Sequence, residues 1–149
     1  EGLEKKTPDV LIIDRDFNLK MNSDLFYIKN RRIIMLICKS NKKKEKYLKK
    51  RGVKILKFKK MISYNDFYTL FCQINLMGYS RVFIESGLTF LNFLISNKFI
   101  NNLYIFKSSI KLNNNGFNYT KTNIIKKFKL KKKVKVNLFN DMLYKIKIK

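Results

Sequence analysis

The chain has 149 residues, 46% of them apolar and 14% aromatic, enough to fill one hydrophobic core. It contains no His, and Cys38 and Cys72 lie far apart with no C-x-x-C, which excludes zinc sites of the usual spacing and any Ser-His-Asp or Cys-His catalysis within this chain. The formal charge of +24 would suit a polyanionic partner, yet Ala and Trp are absent, Arg numbers only five, and Lys, Asn, Ile and Phe abound; this is the bias of AT-rich codons, so the basicity is read as drift on solvated faces and a nucleic-acid partner is not expected.

In chain order, Val10 to Ile13 reads as a short apolar strand ending in the polar cluster Asp14-Arg15-Asp16. Arg32 to Cys38 is a near-continuous apolar run of the kind buried on both faces of a parallel sheet. Lys42 to Lys50 is a short basic helix with Tyr47 and Leu48 inward, and Gly52 is placed to end it. Val53 to Phe58 alternates as a strand. Ser63 with Asp66 forms a capping-box variant, and Phe67, Leu70, Phe71, Ile74 and Met77 fall on one face of the helix that follows, which Gly78 stops. Arg81 to Ile84 is expected as a strand running through Glu85-Ser86-Gly87 into a helix lined by Leu88, Leu91, Leu94 and Ile95. Leu103 to Phe106 is a further buried strand.

Asn113 to Gly116 is a turn-rich loop, and Val134 to Leu138 with Met142 to Ile148 suggests a hairpin through Asn140-Asp141. Lysines from Lys126 to Lys135, interleaved with Phe128, Leu130 and Val134, read as an outward basic face beside inward apolar residues. The expected fold class is α/β: three layers, a mostly parallel central sheet with helices on both faces, and a C-terminal antiparallel hairpin. No stretch approaches ~18 uninterrupted apolar residues and no signal peptide opens the chain. A cytoplasmic protein that does not bind membranes is expected, with both thiols reduced and buried and with Asn118-Tyr119-Thr120 an accidental sequon.

Ligands of open α/β sheets bind beyond the carboxyl ends of the parallel strands, where helix N-termini offer free N–H groups to anions. Three turns qualify: Lys39-Ser40-Asn41, Lys59-Lys60 leading to Ser63, and Glu85-Ser86-Gly87 leading to Thr89. The last is singled out as the ligand site. Gly87 permits close approach to a helix N-terminus, and Glu85 and Asp141 are the only carboxylates after Asp66. The alternative role for Glu85 is electrostatic support of the helix N-terminus.

These pieces also resemble a known family. VFIESGLTFLNFLISNKFINNLYIFKSS, Val82 to Ser109, is similar to the reductase domain of the bifunctional riboflavin-biosynthesis deaminase/reductase, with its strand, E-G-G or E-x-G turn, helix, and G-L-V-D-E-L segment. Lys98 stands where that segment has Gly, and Ser86 replaces the first Gly of the turn. PDVLIIDRDFNL from Pro8 resembles the family's strand followed by D-x-x-x-x-L, Gly52 to Leu56 its G-V-E-V-L strand, and Asn140-Asp141-Met142-Leu143 its closing G-D-D-L hairpin. The resemblance implies a dihydrofolate-reductase-like fold, a homodimer, and NADPH-dependent reduction of a phosphorylated ribosylaminopyrimidine to its ribitylamino form.

It further implies that Ser86, Gly87 and Thr89 approach the NADPH diphosphate, that Lys39 and Ser40 meet the adenosine 2′-phosphate, and that Glu85 and Asp14 lie on the substrate side. No acid, base, nucleophile or metal is called for, since the chemistry is alignment of a hydride donor. Residues 1–149 are then a single reductase-type domain lacking its N-terminal part. Two rival expectations are a basic, non-catalytic nucleic-acid-binding module and a degenerate fragment that keeps only fold and dimer interface.

Overall fold

A computed structural model of the chain describes residues 7–28, 30–110 and 128–148. The loop at Asn113, the Asn118 sequon, and Lys126 and Lys127 lie outside the described residues. The chain divides into two compact units, residues 1–80 and 81–149. The first is a parallel α/β unit and the second carries an antiparallel sheet, with three α-helices in all among the described residues. None of these helices is long and apolar enough to cross a membrane.

The first unit is built on a parallel sheet of β1 (Val10–Ile13), β2 (Ile33–Ile37) and β3 (Lys54–Lys57), in the spatial order β1-β2-β3. Val10 pairs with Ile33 on one side of the central strand and Ile34 with Lys54 on the other. All five residues of β2 are buried, which is why this run shows no alternation: both of its faces are covered. Ile33, Met35 and Ile37 pack with Phe17, Phe26, Leu48 and Val53 into one cluster. Ile34 and Leu36 point the opposite way, and the unit's remaining buried apolar residues are Met61, Phe67, Leu70 and Ile74.

Helix α1 (Lys42–Lys50) starts where the Asn41 side chain accepts the Lys44 N–H at 3.0 Å. It ends in a Schellman motif: Gly52, at φ 80°, donates to the Lys49 carbonyl and Val53 to that of Leu48. Leu48 and Val53 belong to one cluster, so the chain reversal and the core are specified together. Helix α2 (Tyr64–Leu76) opens on the expected capping box, with Ser63 Oγ accepting from the Asp66 N–H and Asp66 Oδ2 accepting from the Ser63 N–H at 2.8 Å. Its Phe67, Leu70 and Ile74 are buried. Gly78, at φ 94°, ends it. Arg15 donates to the Met61 carbonyl at one end of α2, and the Tyr79 hydroxyl donates to Asp9 at the other, so α2 runs back across the sheet against the strand direction.

In the second unit, residues 81–87 form no strand, contrary to the expectation for Arg81 to Ile84. An extended apolar run becomes a strand only when a ladder forms beside it, and no described strand pairs here; Phe83 is 72% exposed. Helix α3 (Leu88–Ser96) buries Leu94 and closes with Lys98 at φ 57°, where Lys98 donates to the Ile95 carbonyl and Phe99 to that of Leu94. Strand β4 (Asn102–Lys107) does not extend the parallel sheet. It pairs antiparallel with β6 (Met142–Lys147), which also pairs with the two-residue β5 (Lys133–Val134), giving the order β4-β6-β5.

As an edge strand β4 buries only Leu103 and exposes Tyr104 and Phe106. The hairpin is present, but it turns at Phe139 and Asn140, and Val136 is left outside the ladder. Phe139 adopts φ 55°, and the Asp141 N–H donates to the Leu138 carbonyl at 3.0 Å. Asp141 ties the hairpin to the end of β4 by accepting from the Ser108 hydroxyl and the Ser109 N–H, each at 3.0 Å.

Candidate functional site

The parallel sheet of the first unit brings the turns after β1, β2 and β3 to one edge. Asp14 leaves β1 and folds the loop behind it: its carboxylate accepts the Asn18 N–H at 3.0 Å and the Leu19 N–H at 2.7 Å. The D-x-x-x-x-L pattern from Asp14 to Leu19 is therefore a turn whose acid binds backbone and whose Leu packs on the core. Arg15 joins the three strand ends. Its carbonyl accepts the N–H groups of Cys38 and Lys39 beyond β2, and its guanidinium reaches the Met61 carbonyl at 3.2 Å beyond β3.

Lys39 forms an ion pair with Asp16 at 2.7 Å, and both side chains are exposed. The Lys39 hydrogen bond and charge hold the Asp16 carboxyl below its ordinary range. Ser40 turns the other way. Its hydroxyl donates to Glu45 Oε1 at 2.6 Å, and Lys57 from the end of β3 pairs with Glu45 Oε2 at 2.7 Å and donates to Ser40 Oγ at 3.3 Å. Glu45 is buried, and Lys57 first, then Ser40, hold its carboxyl below the usual carboxylate range. The K-K-K-E-K run hid this residue. The available signal was that Glu45 is the only acid between Asp24 and Asp66.

Cys38 sits half-buried at the same edge, and burial pushes its thiol up, away from the reactive thiolate. Cys72 is exposed rather than buried, because it lies on the side of α2 away from Phe67, Leu70 and Ile74. Chemically, the edge offers an anion the N-terminus of α1, the Lys39 ammonium beside it, and a Lys57–Glu45–Ser40 brace that fixes the turn between β2 and α1.

The second group singled out from sequence lies in the other unit. Glu85, Ser86, Gly87 and Thr89 are all exposed around the N-terminus of α3, and Gly87 is its N-cap residue without a side-chain cap. Gly87 has φ −67°, which any residue adopts, and a Cβ there would meet nothing within 4 Å. Neither backbone conformation nor packing requires glycine at this position. Among the described residues Glu85 has no ion-pair partner. Lys39 and Ser40 belong to one unit and Ser86, Gly87 and Thr89 to the other.

Two hollows lie elsewhere on the first unit. One of about 260 Å³ is bordered by Arg32, Ile33, Ile34, Lys54, Met77 and Tyr79 at the amino edge of the sheet. There Asp9 accepts from Tyr79, from the Arg32 N–H at 3.0 Å and from Arg32 Nε at 2.8 Å, a clasp that closes the end of α2 over the strands. The other, along α1, is bordered by Lys42, Glu45, Lys46, Lys49 and Lys50. On another face of α1, which carries Tyr47, the Arg51 guanidinium lies over the rings of Tyr27 and Tyr47, 4.2 and 4.7 Å from their centroids. Among the described residues no group of three His, Cys, Asp or Glu is placed to hold a metal ion. Compared with known proteins, the chain matches no family model and no curated sequence.

Proposed function

We propose that the chain is an NADPH-dependent reductase of the riboflavin-biosynthesis type, acting on a phosphorylated ribosylaminopyrimidine within a dihydrofolate-reductase-like fold. The observation that carries the reading is the turn between β2 and α1, where Lys39 stands at a helix N-terminus on the carboxyl edge of a parallel sheet. That donor set fits a dianionic 2′-phosphate: the Lys39 ammonium, shared with Asp16, and the first N–H groups of α1. Ser40 contributes through its hold on Glu45, positioning the turn.

Lys98 supports the resemblance independently. It occupies the left-handed conformation that favours glycine, at the position where the family segment carries Gly. The exposed Gly87 gains a reason in this reading, because a ligand diphosphate is what a side chain there would meet. In this reading Ser86 and Thr89 flank that approach within the second unit, Glu85 next to them is a substrate contact, and Asp14 in the first unit contributes by shaping its own loop. NADPH when bound supplies the hydride; the chain's residues bind and orient, and no acid, base or nucleophile of its own is required.

The test is titration of the chain with NADPH and NADH, followed by nicotinamide fluorescence. NADPH is expected to bind about tenfold more tightly or better, a difference of ~1.4 kcal/mol, and Lys39→Ala is expected to abolish that preference while leaving NADH affinity unchanged. Equal affinity for the two, or a preference that survives Lys39→Ala, refutes the assignment. A second reading, nucleic-acid binding, is favoured by the lysine-lined hollow on α1 and, separately, by the cation–π contacts of Arg51 with Tyr27 and Tyr47. Retention of single-stranded RNA at about 0.15 M salt, lost on Arg51→Ala, is the outcome that selects it.

A further inference from the structure

The more enclosed of the two hollows on the first unit, about 260 Å³, lies at the amino ends of β2 and β3, the edge opposite the turn that carries Lys39 and Ser40. Its apolar lining is Ile33 and Ile34, 6% and 4% exposed, joined by the Met77 thioether and the Tyr79 ring from the end of α2. Gly52, whose φ of 80° favours glycine, adds no side chain to the rim. The polar groups nearby are nearly all engaged. The Tyr79 hydroxyl donates to Asp9, and Arg32 gives the same carboxylate its Nε and Nη2, each at 2.8 Å, which leaves Nη1 uncommitted. The carbonyls of Gln73, Asn75 and Ile74 accept the N–H groups of Met77, Gly78 and Tyr79, so the end of α2 is closed. Lys54 is the exception. Its ammonium lies 3.2 Å from the Met77 sulfur, a weak acceptor, and among the described residues no carboxylate pairs with it.

We infer that this hollow is a binding site for a small aromatic carboxylate, whose charged end meets Lys54 and whose ring lies against Ile33, Ile34 and the Met77 thioether. Each part of the ligand answers a feature of the site. One cation without a carboxylate calls for one negative charge, and Arg32 Nη1 is a second donor on the same rim. The isoleucines and the thioether favour a flat apolar body, sulfur on ring being an attractive contact. A lysine on an ordinary solvated face, such as Lys46 on α1, has the charge without the apolar lining.

The volume bounds the size. At about 260 Å³ the hollow falls below the ~300–1,000 Å³ of sites for drug-sized ligands, so it admits a single ring with its carboxylate and excludes a dinucleotide. A ligand that small binds weakly, in the millimolar range or somewhat below. This inference is independent of the NADPH reading, which uses the carboxyl edge of the same sheet and the second unit.

Titration of the full chain with benzoate at roughly 0.15 M salt, followed by proton–nitrogen correlation spectra, tests it. Saturable shifts at the amides of Ile33, Ile34, Lys54 and Tyr79 are expected, with a Kd of about 1 mM or tighter. Benzamide, which has the ring without the charge, and inorganic phosphate, which has the charge without the ring, are each expected to bind these residues at least about tenfold more weakly. Lys54→Met is expected to weaken benzoate at least about tenfold, while Lys46→Met, which removes the same charge from α1, changes it less than about twofold. Phosphate that matches benzoate, as it would if anions only gather on a chain of charge +24, overturns the inference. So does an equal response to Lys54→Met and Lys46→Met. A parent chain without saturable benzoate shifts overturns it as well, and leaves Lys54 the role of steadying the C-terminus of α2. Because Lys54 is exposed, the amide spectrum of Lys54→Met away from the hollow is expected to match that of the parent.

Discussion

The three helices end in the same hydrogen-bond pattern, and the residue that must take the left-handed conformation is Gly52, Gly78 or Lys98. The first two are glycine, for which positive φ carries no steric penalty. Lys98, at φ 57°, retains a Cβ that crowds the following carbonyl, a strain of ~1 kcal/mol. Lys98→Gly is therefore expected to stabilise the protein by about 1 kcal/mol, seen as a higher denaturant midpoint at unchanged m-value. No gain would show that the Lys98 side chain makes a compensating contact. At this scale the sequence was partly legible. Gly52 and Gly78 announced their turns, whereas Lys98 was visible only against the Gly of the family that the segment resembles. Asp14 and Arg15 were recognisable as a polar cluster, but nothing local said that Asp14 would bind the N–H groups of Asn18 and Leu19 or that Arg15 would join three strand ends.

Element boundaries were readable wherever the signal is local. Lys42 to Lys50 is helical over the span its pattern specified, and Ser63 with Asp66 forms the reciprocal capping box that their three-residue spacing allows. Ser63→Ala removes the acceptor for the Asp66 N–H and is expected to lower stability by ~1 kcal/mol, with Asn at the same position restoring most of it. Thermal unfolding checks both, and a silent Ser63→Ala would mean that water replaces the hydroxyl without loss. Arg81 to Ile84 shows the limit of such reading. Its β-branched and aromatic residues favour extended backbone, but strand formation is a property of the pair, and no described strand supplies the other half.

Across the first unit, carboxylates bind edges together, and their titration sets the acid limit of stability. The Asp9 carboxyl is held below its ordinary range by the Tyr79 hydroxyl first, then by the Arg32 N–H, and that of Glu45 by Lys57 and then Ser40. A lowered folded-state value means that the contribution is complete above the ordinary carboxylate range, near pH 4, and is lost as pH falls through and below it. Melting temperature is thus expected to be flat near neutrality and to fall steeply on acidification. Glu45→Gln should lower it at pH 7 and converge on the parent in acid; a constant gap at all pH values would show that Glu45 acts by packing alone. On the alkaline side the sign reverses. Tyr79 is pushed up chiefly by its bond to Asp9, so its contribution is present below the ordinary phenol range and drains as pH rises past it.

What the sequence determined by itself is whatever depends on residues a few positions apart: helix starts and stops, the buried character of β2, the presence of a C-terminal hairpin, and the lack of His-based chemistry. Tertiary structure decided the rest. It made β4 an edge strand of an antiparallel sheet instead of a continuation of the parallel one, left residues 81–87 without a ladder, and drew Glu45 out of a lysine run into a brace with Ser40 and Lys57. The physical reason is common to all three. Backbone propensity and capping energy are settled within one turn of chain, but strand partners and the burial of a charge are settled by groups that only folding brings together.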